Sequence, residues 1–231
     1  MARSNLAYRR PALYDAMTAD DEVAGQVAKA VGECGVRPLA VLDLGCGTGR
    51  HLAALRDELG AVAVGVDLQT GMLDYGRRRY GVDLRRGDLR SIRLGRRFEL
   101  VTCLGNSLSY LHADDDLVSA VQTMRAHVED RGVVVISTLT NPLVEPAEQV
   151  VRVETACISA DVEIASAWDA ERRLQVTRRT WRHDDGRIDV DVLRRRVVRL
   201  DELVGLLHGA GFVGGRLVGA GYVVATVSAR G

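Results

Sequence analysis

Three alternating glycines follow an acidic residue in the stretch Val41-Leu-Asp-Leu-Gly-Cys-Gly-Thr-Gly-Arg50. Gly45, Gly47 and Gly49 lack a Cβ atom, so they can adopt positive φ angles and let a ligand lie against the backbone. Their spacing differs from the Gly-x-Gly-x-x-Gly pattern that cradles the pyrophosphate of a dinucleotide. Asp43 adds a carboxylate, which would repel a pyrophosphate and attract an amine. The residue types therefore predict a ligand-binding loop and favour a ligand that carries an amine.

The segments on either side of this loop indicate where it lies in the fold. Leu39 to Leu44 is a continuous apolar run, typical of a strand that is buried on both faces in a parallel sheet. After the glycines, the apolar residues Leu52, Leu55 and Leu59 fall on one face of a helix, whose first N–H groups would point at a ligand. The loop is therefore predicted at the carboxyl edge of the sheet, where open α/β sheets bind their ligands.

The segment Leu-Asp-Leu-Gly-Cys-Gly-Thr-Gly closely resembles the first motif of the class I S-adenosylmethionine (SAM) methyltransferases. In that family the loop holds the methionine portion of SAM. The resemblance implies an α/β fold with a Rossmann-like seven-stranded sheet, and SAM as the cofactor. It also implies that the loop residues contact the cofactor, namely Asp43, Gly45, Cys46, Gly47 and Gly49.

Two later stretches resemble further motifs of the same family, in the order that the family requires. Asp67 ends a second predicted strand, Ala61 to Asp67, and resembles the acid that accepts hydrogen bonds from both ribose hydroxyls of SAM. Gly87-Asp88-Leu89 resembles the adenine site, where Asp88 would accept from the exocyclic amine and the backbone of Leu89 would meet the ring. The other expected cofactor contacts are Leu68, Met72, Leu104 and Asn106, although Met72 could equally pack in the core.

Polar residues are concentrated where the fourth predicted strand, Phe98 to Cys103, ends in Cys103-Leu-Gly-Asn-Ser-Leu-Ser-Tyr-Leu-His112. By the resemblance, the methyl group to be transferred lies here. In the glycine and deoxyaminosugar N-methyltransferases the stretch often carries a histidine where this chain has Tyr110. His112 could substitute for that histidine or point into solvent. Covalent catalysis by Cys103 is not expected, because the surrounding strand is apolar.

Tyr14 lies in Ala12-Leu-Tyr-Asp15, which resembles a segment that folds over the SAM site in several small-molecule methyltransferases. Tyr14 could therefore contact SAM or the acceptor, or it could be an ordinary half-buried helix tyrosine. Together with Tyr110 and His112, it completes the set of candidate catalytic residues.

Between Leu139 and Val198 apolar and polar residues alternate, which is typical of half-buried antiparallel strands. Asp184-Asp-Gly186 is a hairpin turn between two of them. We expect an inserted sheet of about four strands that caps the site, selects the substrate or forms a dimer surface. Its arginines, Arg178, Arg179 and Arg194 to Arg196, are expected to solvate the outer face. The predicted divisions are residues 1–138 for the N-terminal helix and SAM-binding core, 139–199 for the inserted sheet and 200–231 for the last helix and strands.

Composition excludes several classes of function. Among the 231 residues, Lys plus Arg and Asp plus Glu number 31 each, so the zero net charge argues against a broad nucleic-acid footprint. No apolar run reaches membrane-spanning length and no signal sequence is present, so we expect a cytoplasmic protein with no membrane partner. The four cysteines are far apart, which suggests neither a metal site nor a disulfide framework. They are Cys34, Cys46, Cys103 and Cys157.

The sequence thus favours SAM-dependent methyl transfer to a small molecule, with an amine as acceptor, such as an amino sugar or another secondary metabolite. An amine needs only to be bound neutral, whereas a hydroxyl usually requires a base or a metal. Two alternatives stay open. One is an O-methyltransferase acting on a small-molecule natural product, and the other is a non-catalytic module that binds or senses SAM. A homodimer is expected only by analogy.

Overall fold

The computed structural model describes residues 5–19, 22–156, 158–219 and 221–228, so Cys157 lies outside the described residues. The helices are α1 (Leu6–Arg9), α2 (Pro11–Met17), α3 (Val23–Glu33), α4 (Arg50–Leu59), α5 (Thr70–Tyr80), α6 (Asp114–His127) and α7 (Leu200–Gly209). The strands are β1 (Ala40–Leu44), β2 (Val62–Asp67), β3 (Asp83–Arg86), β4 (Phe98–Cys103), β5 (Val128–Ser137), β6 (Ala147–Thr155), β7 (Ile158–Asp169), β8 (Leu174–His183), β9 (Ile188–Arg196), β10 (Val213–Val218) and β11 (Tyr222–Thr226). A 3-10 helix covers Ser107–Tyr110.

Seven of the strands form one sheet in the order β10-β11-β5-β4-β1-β2-β3. The pairs β1–β2, β1–β4, β2–β3 and β4–β5 are parallel, whereas β11 is antiparallel to both β5 and β10. The chain moves outward from β1 to β2 and β3, then returns to place β4 on the other side of β1. A crevice opens at the carboxyl ends of the strands where the order reverses, and this is where the glycine loop lies.

Strand β1 is buried on both faces because helices cover both sides of the sheet. Leu42 and Leu44 pack in one cluster together with apolar residues of α6 and α7. Val41, which points to the opposite face, packs in a second cluster with residues of α3, α4 and α5. The alternation of side chains along a strand explains this division. The continuous apolar run thus reflects a central parallel strand, as the sequence predicts.

The remaining strands form a separate antiparallel sheet in the order β6-β7-β8-β9. It lies between β5 and α7 in the chain, and the predicted turn at Asp184 to Gly186 joins β8 to β9. One apolar cluster joins this sheet to the N-terminal helices, since Leu6 and Leu13 pack with Val162 and Trp181. The second sheet is therefore fastened to the segment that precedes the glycine loop.

Two arginines of this sheet do not solvate its outer face, so that expectation is wrong for them. Arg179 lies over the ring of Trp181, two residues further along the strand, and its guanidinium pairs with Asp191 at 2.7 Å. Arg196 is 1% exposed and contacts carboxylates of Asp114 and Glu202. Both cations are buried because carboxylates compensate their charge. Among the described helices, none is long and apolar enough to cross a membrane.

Candidate active site

The glycine loop follows β1 and is held by backbone conformations that glycine adopts easily. Gly45, Gly47 and Gly49 have φ angles of 79°, 58° and 75°. A Cβ atom on Gly45 would lie 2.5 Å from the Oγ atom of Ser107, which donates a hydrogen bond to the carbonyl oxygen of Gly45 at 3.0 Å. Glycine is therefore required at this position both by conformation and by the close approach of the 3-10 helix.

A cavity of about 400 Å³ lies at the carboxyl edge of the sheet, beside the loop. This volume is within the range of small-molecule sites. Loops after β1, β2, β3 and β4 contribute to its walls, as expected for an open α/β sheet. Seven of the predicted cofactor contacts line this cavity, namely Gly45, Gly47, Asp67, Leu68, Met72, Asp88 and Leu89.

Asp67 lies at the end of β2 and contacts both the glycine loop and the cavity. Its two carboxylate oxygens accept hydrogen bonds from the backbone N–H groups of Gly47, at 2.9 Å, and Gln69, at 2.8 Å. Burial raises the pKa of this carboxyl group above its ordinary value, although these N–H groups oppose the shift. Asp67 can therefore fix the loop while it still presents a carboxylate to a ligand.

Asp88 lies further along the same edge and is paired with Arg90. The guanidinium of Arg90 contacts Asp88 at 2.6 Å and Asp116 at 2.8 Å. The hydrogen bonds from Arg90 hold the pKa of Asp88 below its usual range. Asp88 is therefore an ionised hydrogen-bond acceptor at the cavity wall, and the sequence analysis missed the contribution of Arg90.

Three predicted loop contacts do not line either cavity. Asp43 is 2% exposed and accepts a hydrogen bond from the Thr102 hydroxyl at 2.8 Å, while burial raises its pKa to about 7. Burial likewise raises the pKa of the Cys46 thiol, and Gly49 serves as the left-handed N-cap of α4. The structure therefore places Asp43, Cys46 and Gly49 behind the ligand-facing surface of the loop.

A second cavity, of about 630 Å³, adjoins the first. Predicted contacts Leu104 and Asn106 line this second cavity and not the first. Its wall also includes Gln26 from α3 and, from the antiparallel sheet, Arg179 and Arg195. Arg195 faces this cavity, so the expectation that it solvates the outer face of the sheet is also wrong. Four residues line both cavities, namely Tyr8, Tyr14, Gly105 and Tyr110.

Three tyrosines therefore mark the junction of the two cavities. The ring centroid of Tyr8 lies 5.6 Å from that of Tyr14 and 6.0 Å from that of Tyr110. Burial is the main cause that raises the pKa values of Tyr8 and Tyr14, so both phenols keep their protons at neutral pH. Tyr8 was missed because it belongs to no recognised motif and precedes the predicted helix.

His112 is not at this junction. It lines neither cavity, and its Nε2 atom is 3.0 Å from the backbone carbonyl oxygen of Arg194. The structure therefore gives no support to a catalytic base at His112. Burial also raises the pKa of the Cys103 thiol, which disfavours a reactive thiolate there.

A buried carboxylate that the sequence did not indicate joins the N-terminal helix α2 to the loop by hydrogen bonds. Asp15 accepts hydrogen bonds from the hydroxyl groups of Thr48 and Tyr80. These two residues belong to the glycine loop and to α5, so Asp15 joins three segments. This contact keeps Tyr14, the preceding residue, against the cavity. Among the described residues, no group of three or more His, Cys, Asp and Glu side chains is placed to hold a metal ion.

Comparison with known sequences identifies the domain that contains this edge. A family model described as a methyltransferase domain matches residues 41–132, which confirms the domain that the sequence motifs indicate. The chain is 43% identical over 98 residues to the dTDP-3-amino-3,6-dideoxy-alpha-D-glucopyranose N,N-dimethyltransferase of Streptomyces fradiae. It is 40% identical over 98 residues to the dTDP-3-amino-3,4,6-trideoxy-alpha-D-glucopyranose N,N-dimethyltransferase of Streptomyces venezuelae. Each match covers 42% of this chain, and they cover 38% and 41% of the two relatives.

Solved structures extend the similarity to nearly the whole chain. SAM-bound CalS10, an amino pentose methyltransferase from Micromonospora echinaspora, has a TM-score of 0.79 and 27% identity, with 93% of this chain and 94% of that chain covered. DesVI from Streptomyces venezuelae has a TM-score of 0.78 and 26% identity, with 94% and 97% covered. These structures and the sheet order confirm the predicted class I methyltransferase fold with its additional antiparallel sheet.

Proposed function

Because residues 41–132 form a methyltransferase domain within a class I fold, we propose that the chain is a SAM-dependent N-methyltransferase acting on a small molecule of the amino-sugar type. One observation carries this proposal. The cavity beside the glycine loop continues, past three tyrosines, into a second cavity large enough for an acceptor. Transfer of a group between two ligands requires that they bind in adjoining sites, so that the reacting atoms lie close together.

The residues of the first cavity fit SAM in chemical type. The bare backbone at Gly45 and Gly47 leaves room for the amino-acid portion, and Asp67 supplies acceptor oxygens for the ribose hydroxyls. Asp88, ionised beside Arg90, would accept from the adenine amine, with Leu89 against the ring. Asp43, Cys46 and Gly49 would act by shaping the loop. When bound, SAM supplies a methyl group on a positively charged sulfur.

An amine acceptor suits the chemistry at the junction better than a hydroxyl. The phenols of Tyr8 and Tyr14 hold their protons too tightly to serve as bases, so they can orient an acceptor without deprotonating it. A neutral amine carries its own lone pair for attack in line with the methyl group. The ammonium product then loses a proton to water. Tyr14 and Tyr110 are therefore proposed to position the acceptor nitrogen.

The names of the curated relatives support a sugar amine that is attached to a nucleoside diphosphate. The second cavity offers a cation for such a diphosphate. Arg195 lines this cavity, and its guanidinium forms no ion pair among the described residues. By contrast, the neighbouring Arg179 is already paired with Asp191. We assign Arg195 to the phosphate groups of the acceptor, since guanidinium binds phosphate in two-point fashion.

The decisive test is incubation with methyl-labelled SAM and dTDP-3-amino-3,6-dideoxyglucose, alongside other amino sugars and hydroxylated metabolites. We expect label on the sugar nitrogen. Asp67→Ala should abolish transfer, whereas Asp57→Ala, which removes an exposed carboxylate of α4, should not. Label on oxygen would instead favour the O-methyltransferase alternative. SAM binding with no transfer to any acceptor would favour the non-catalytic alternative.

We also propose that the protein acts in the cytoplasm as a homodimer, with residues 139–199 as the layer that selects the acceptor. Cys34, Cys46 and Cys103 are free thiols, which suits a reducing compartment. Strand β6 is an edge of the antiparallel sheet and exposes Val150. Light scattering coupled to size-exclusion chromatography would test the dimer, and a monomer at micromolar concentration would overturn it.

A further inference from the structure

The three tyrosines at the junction have an arrangement that the transfer of a methyl group does not by itself require. Tyr8 is the central ring, with its centroid within 6.0 Å of both Tyr14 and Tyr110. The neighbouring rings are tilted to it by 54° and 57°, so the three do not stack as a flat column. Each ring is only partly buried and lines both cavities. Three mutually tilted aromatic rings are thus gathered where the two cavities adjoin.

Aromatic rings set at angles around a point bind cations, because the face of each ring carries negative charge density. A methylated ammonium is well suited to such a site, since each added methyl group removes an N–H donor and weakens hydration. We propose that Tyr8, with Tyr14 and Tyr110, forms an aromatic site for the methylated ammonium group of the acceptor, and that Tyr8 is an acceptor-positioning residue. This inference rests on the proposed N-methyl transfer, and it specifies which residues surround the methylated ammonium group of the product.

The surroundings of the three rings strengthen their attraction for a cation. Burial is the main cause that raises the pKa values of Tyr8 and Tyr14, so the phenols remain neutral and keep their polar O–H groups. The carboxylate of Asp67, which lines the first cavity, adds to both shifts by its charge. Among the described residues, neither Tyr8, Tyr14 nor Tyr110 has an arginine or lysine over its ring within cation–π distance. The site is therefore open to a cation from a ligand.

A matched pair of small probes measures the preference of this site for a cation without any methyl transfer. Choline carries a trimethylammonium group, and 3,3-dimethylbutan-1-ol has the same shape without the charge. Both would be titrated by NMR into protein saturated with S-adenosylhomocysteine. We expect the wild-type protein to prefer choline by roughly tenfold, the size of a desolvated cation–π interaction. The neutral probe measures what shape and apolar contact contribute alone.

Variants then assign the preference to Tyr8. Tyr8→Phe keeps the ring and should retain the preference for choline, whereas Tyr8→Leu should reduce it to about twofold or less. Tyr75→Leu replaces a tyrosine of α5 that lines neither cavity, and should leave the preference unchanged. Affinity for S-adenosylhomocysteine and the thermal midpoint, measured for every variant, establish that each protein is folded.

Equal affinity of the wild-type protein for the two probes would overturn the proposal without any variant. A preference for choline that persists in Tyr8→Leu would overturn the role of Tyr8. Neither outcome depends on turnover, so a failure of the aromatic site is distinguishable from a failure of the proposed methyl transfer. If the probes bind as expected and no amine is methylated, the aromatic site stands and the proposed reaction does not.

Discussion

Asp43 shows how burial changes the chemistry of a residue that the sequence predicts as a ligand contact. The sequence places a carboxylate beside the glycine loop, and the resemblance implies that it contacts SAM. In the structure it is enclosed beneath the loop and accepts a hydrogen bond from Thr102. Because desolvation penalises the charged form, its pKa rises from 3.8 to about 7. Asp43 therefore carries a proton through much of the mildly acidic range.

This raised pKa predicts a specific pH dependence of stability. Between about pH 4 and pH 7 the native state holds the Asp43 proton and the unfolded chain does not, so rising pH favours unfolding. Relative to Asp43→Asn, the free energy of unfolding of the wild type should fall across this window, by at most about 4 kcal/mol, and then level off. Urea denaturation at a series of pH values measures the difference between the two proteins.

The exposed residue Asp57 provides the control for this experiment. Its pKa is lowered by Arg56, so Asp57→Asn should change the pH dependence only below about pH 4. If the curves of the wild type and Asp43→Asn run parallel from pH 4 to pH 7, then burial does not raise the pKa of Asp43.

Sequence predicted residues of the first cavity wall where a motif and a strand end coincide, as for Asp67 and Asp88. Tyr8 and Arg90 escaped prediction, because neither stands at a position that a periodic pattern or a strand end marks out. Both reach the site only through tertiary packing, since Tyr8 comes from the N-terminal segment and Arg90 is directed by Asp88 and Asp116. Sequence spacing carries no information about such contacts.

Helix α5 packs against the glycine loop so closely that one of its residues must be glycine. A Cβ atom on Gly76 would lie 1.9 Å from the carbonyl oxygen of Thr48, which is backbone and cannot rotate away. The same helix carries Gly71 near its start, where a Cβ atom would meet nothing within 4 Å. An added Cβ atom would therefore clash with backbone at Gly76 and meet open space at Gly71.

Gly76→Ala should therefore move the loop or the helix. We expect a loss of stability of about 1–3 kcal/mol or more, with a weaker affinity for SAM, because the Thr48 segment must shift. Gly71→Ala should leave stability unchanged or raise it by up to about 1 kcal/mol, since alanine favours a helix. Urea denaturation and calorimetric titration with SAM measure both effects. Similar behaviour of the two variants would show that the contact between α5 and the loop is not tight.

The elements themselves were predicted well, because strand burial and helix periodicity are local patterns. The alternation between Leu139 and Val198 also predicted an antiparallel sheet, which the structure has as β6 to β9. It could not indicate which face of that sheet meets the rest of the molecule. Arginine usually faces water, so Arg179 and Arg196 were assigned to the wrong environment. Their burial depends on carboxylates that the fold brings to them: Asp191 for Arg179, and Asp114 and Glu202 for Arg196.

Asp191 joins the antiparallel sheet to the N-terminal segment and thereby to the second cavity. Its carboxylate pairs with Arg179 through two hydrogen bonds of 2.7 Å and accepts a third from the backbone N–H of Leu6 at 2.8 Å. Arg179 also donates to the side-chain oxygen of Asn5 at 2.8 Å. Leu6 is two residues before Tyr8, so this buried pair fixes the segment that carries the central ring of the junction.

Removing one member of the pair should destabilise both the antiparallel sheet and the N-terminal segment. We expect Asp191→Ala to cost about 3–5 kcal/mol, because it leaves the Arg179 guanidinium buried and unpaired. Arg179→Met combined with Asp191→Leu should recover part of this loss, since no charge is then left buried. Glu163→Gln, which breaks an exposed pair with Arg182, should cost less than about 1 kcal/mol. Urea denaturation measures these free energies.

Hydrogen exchange distinguishes a link between the sheet and the N-terminal segment from a general loss of stability. In Asp191→Ala the amides of α1 should exchange faster than those of β1, because the bond to the Leu6 N–H is lost while the core of the large sheet keeps its packing. The double variant also lacks this bond, so its α1 amides should stay fast even though its stability partly returns. Uniform acceleration over α1 and β1 would mean that the pair supports the fold as a whole and does not hold the acceptor cavity in particular.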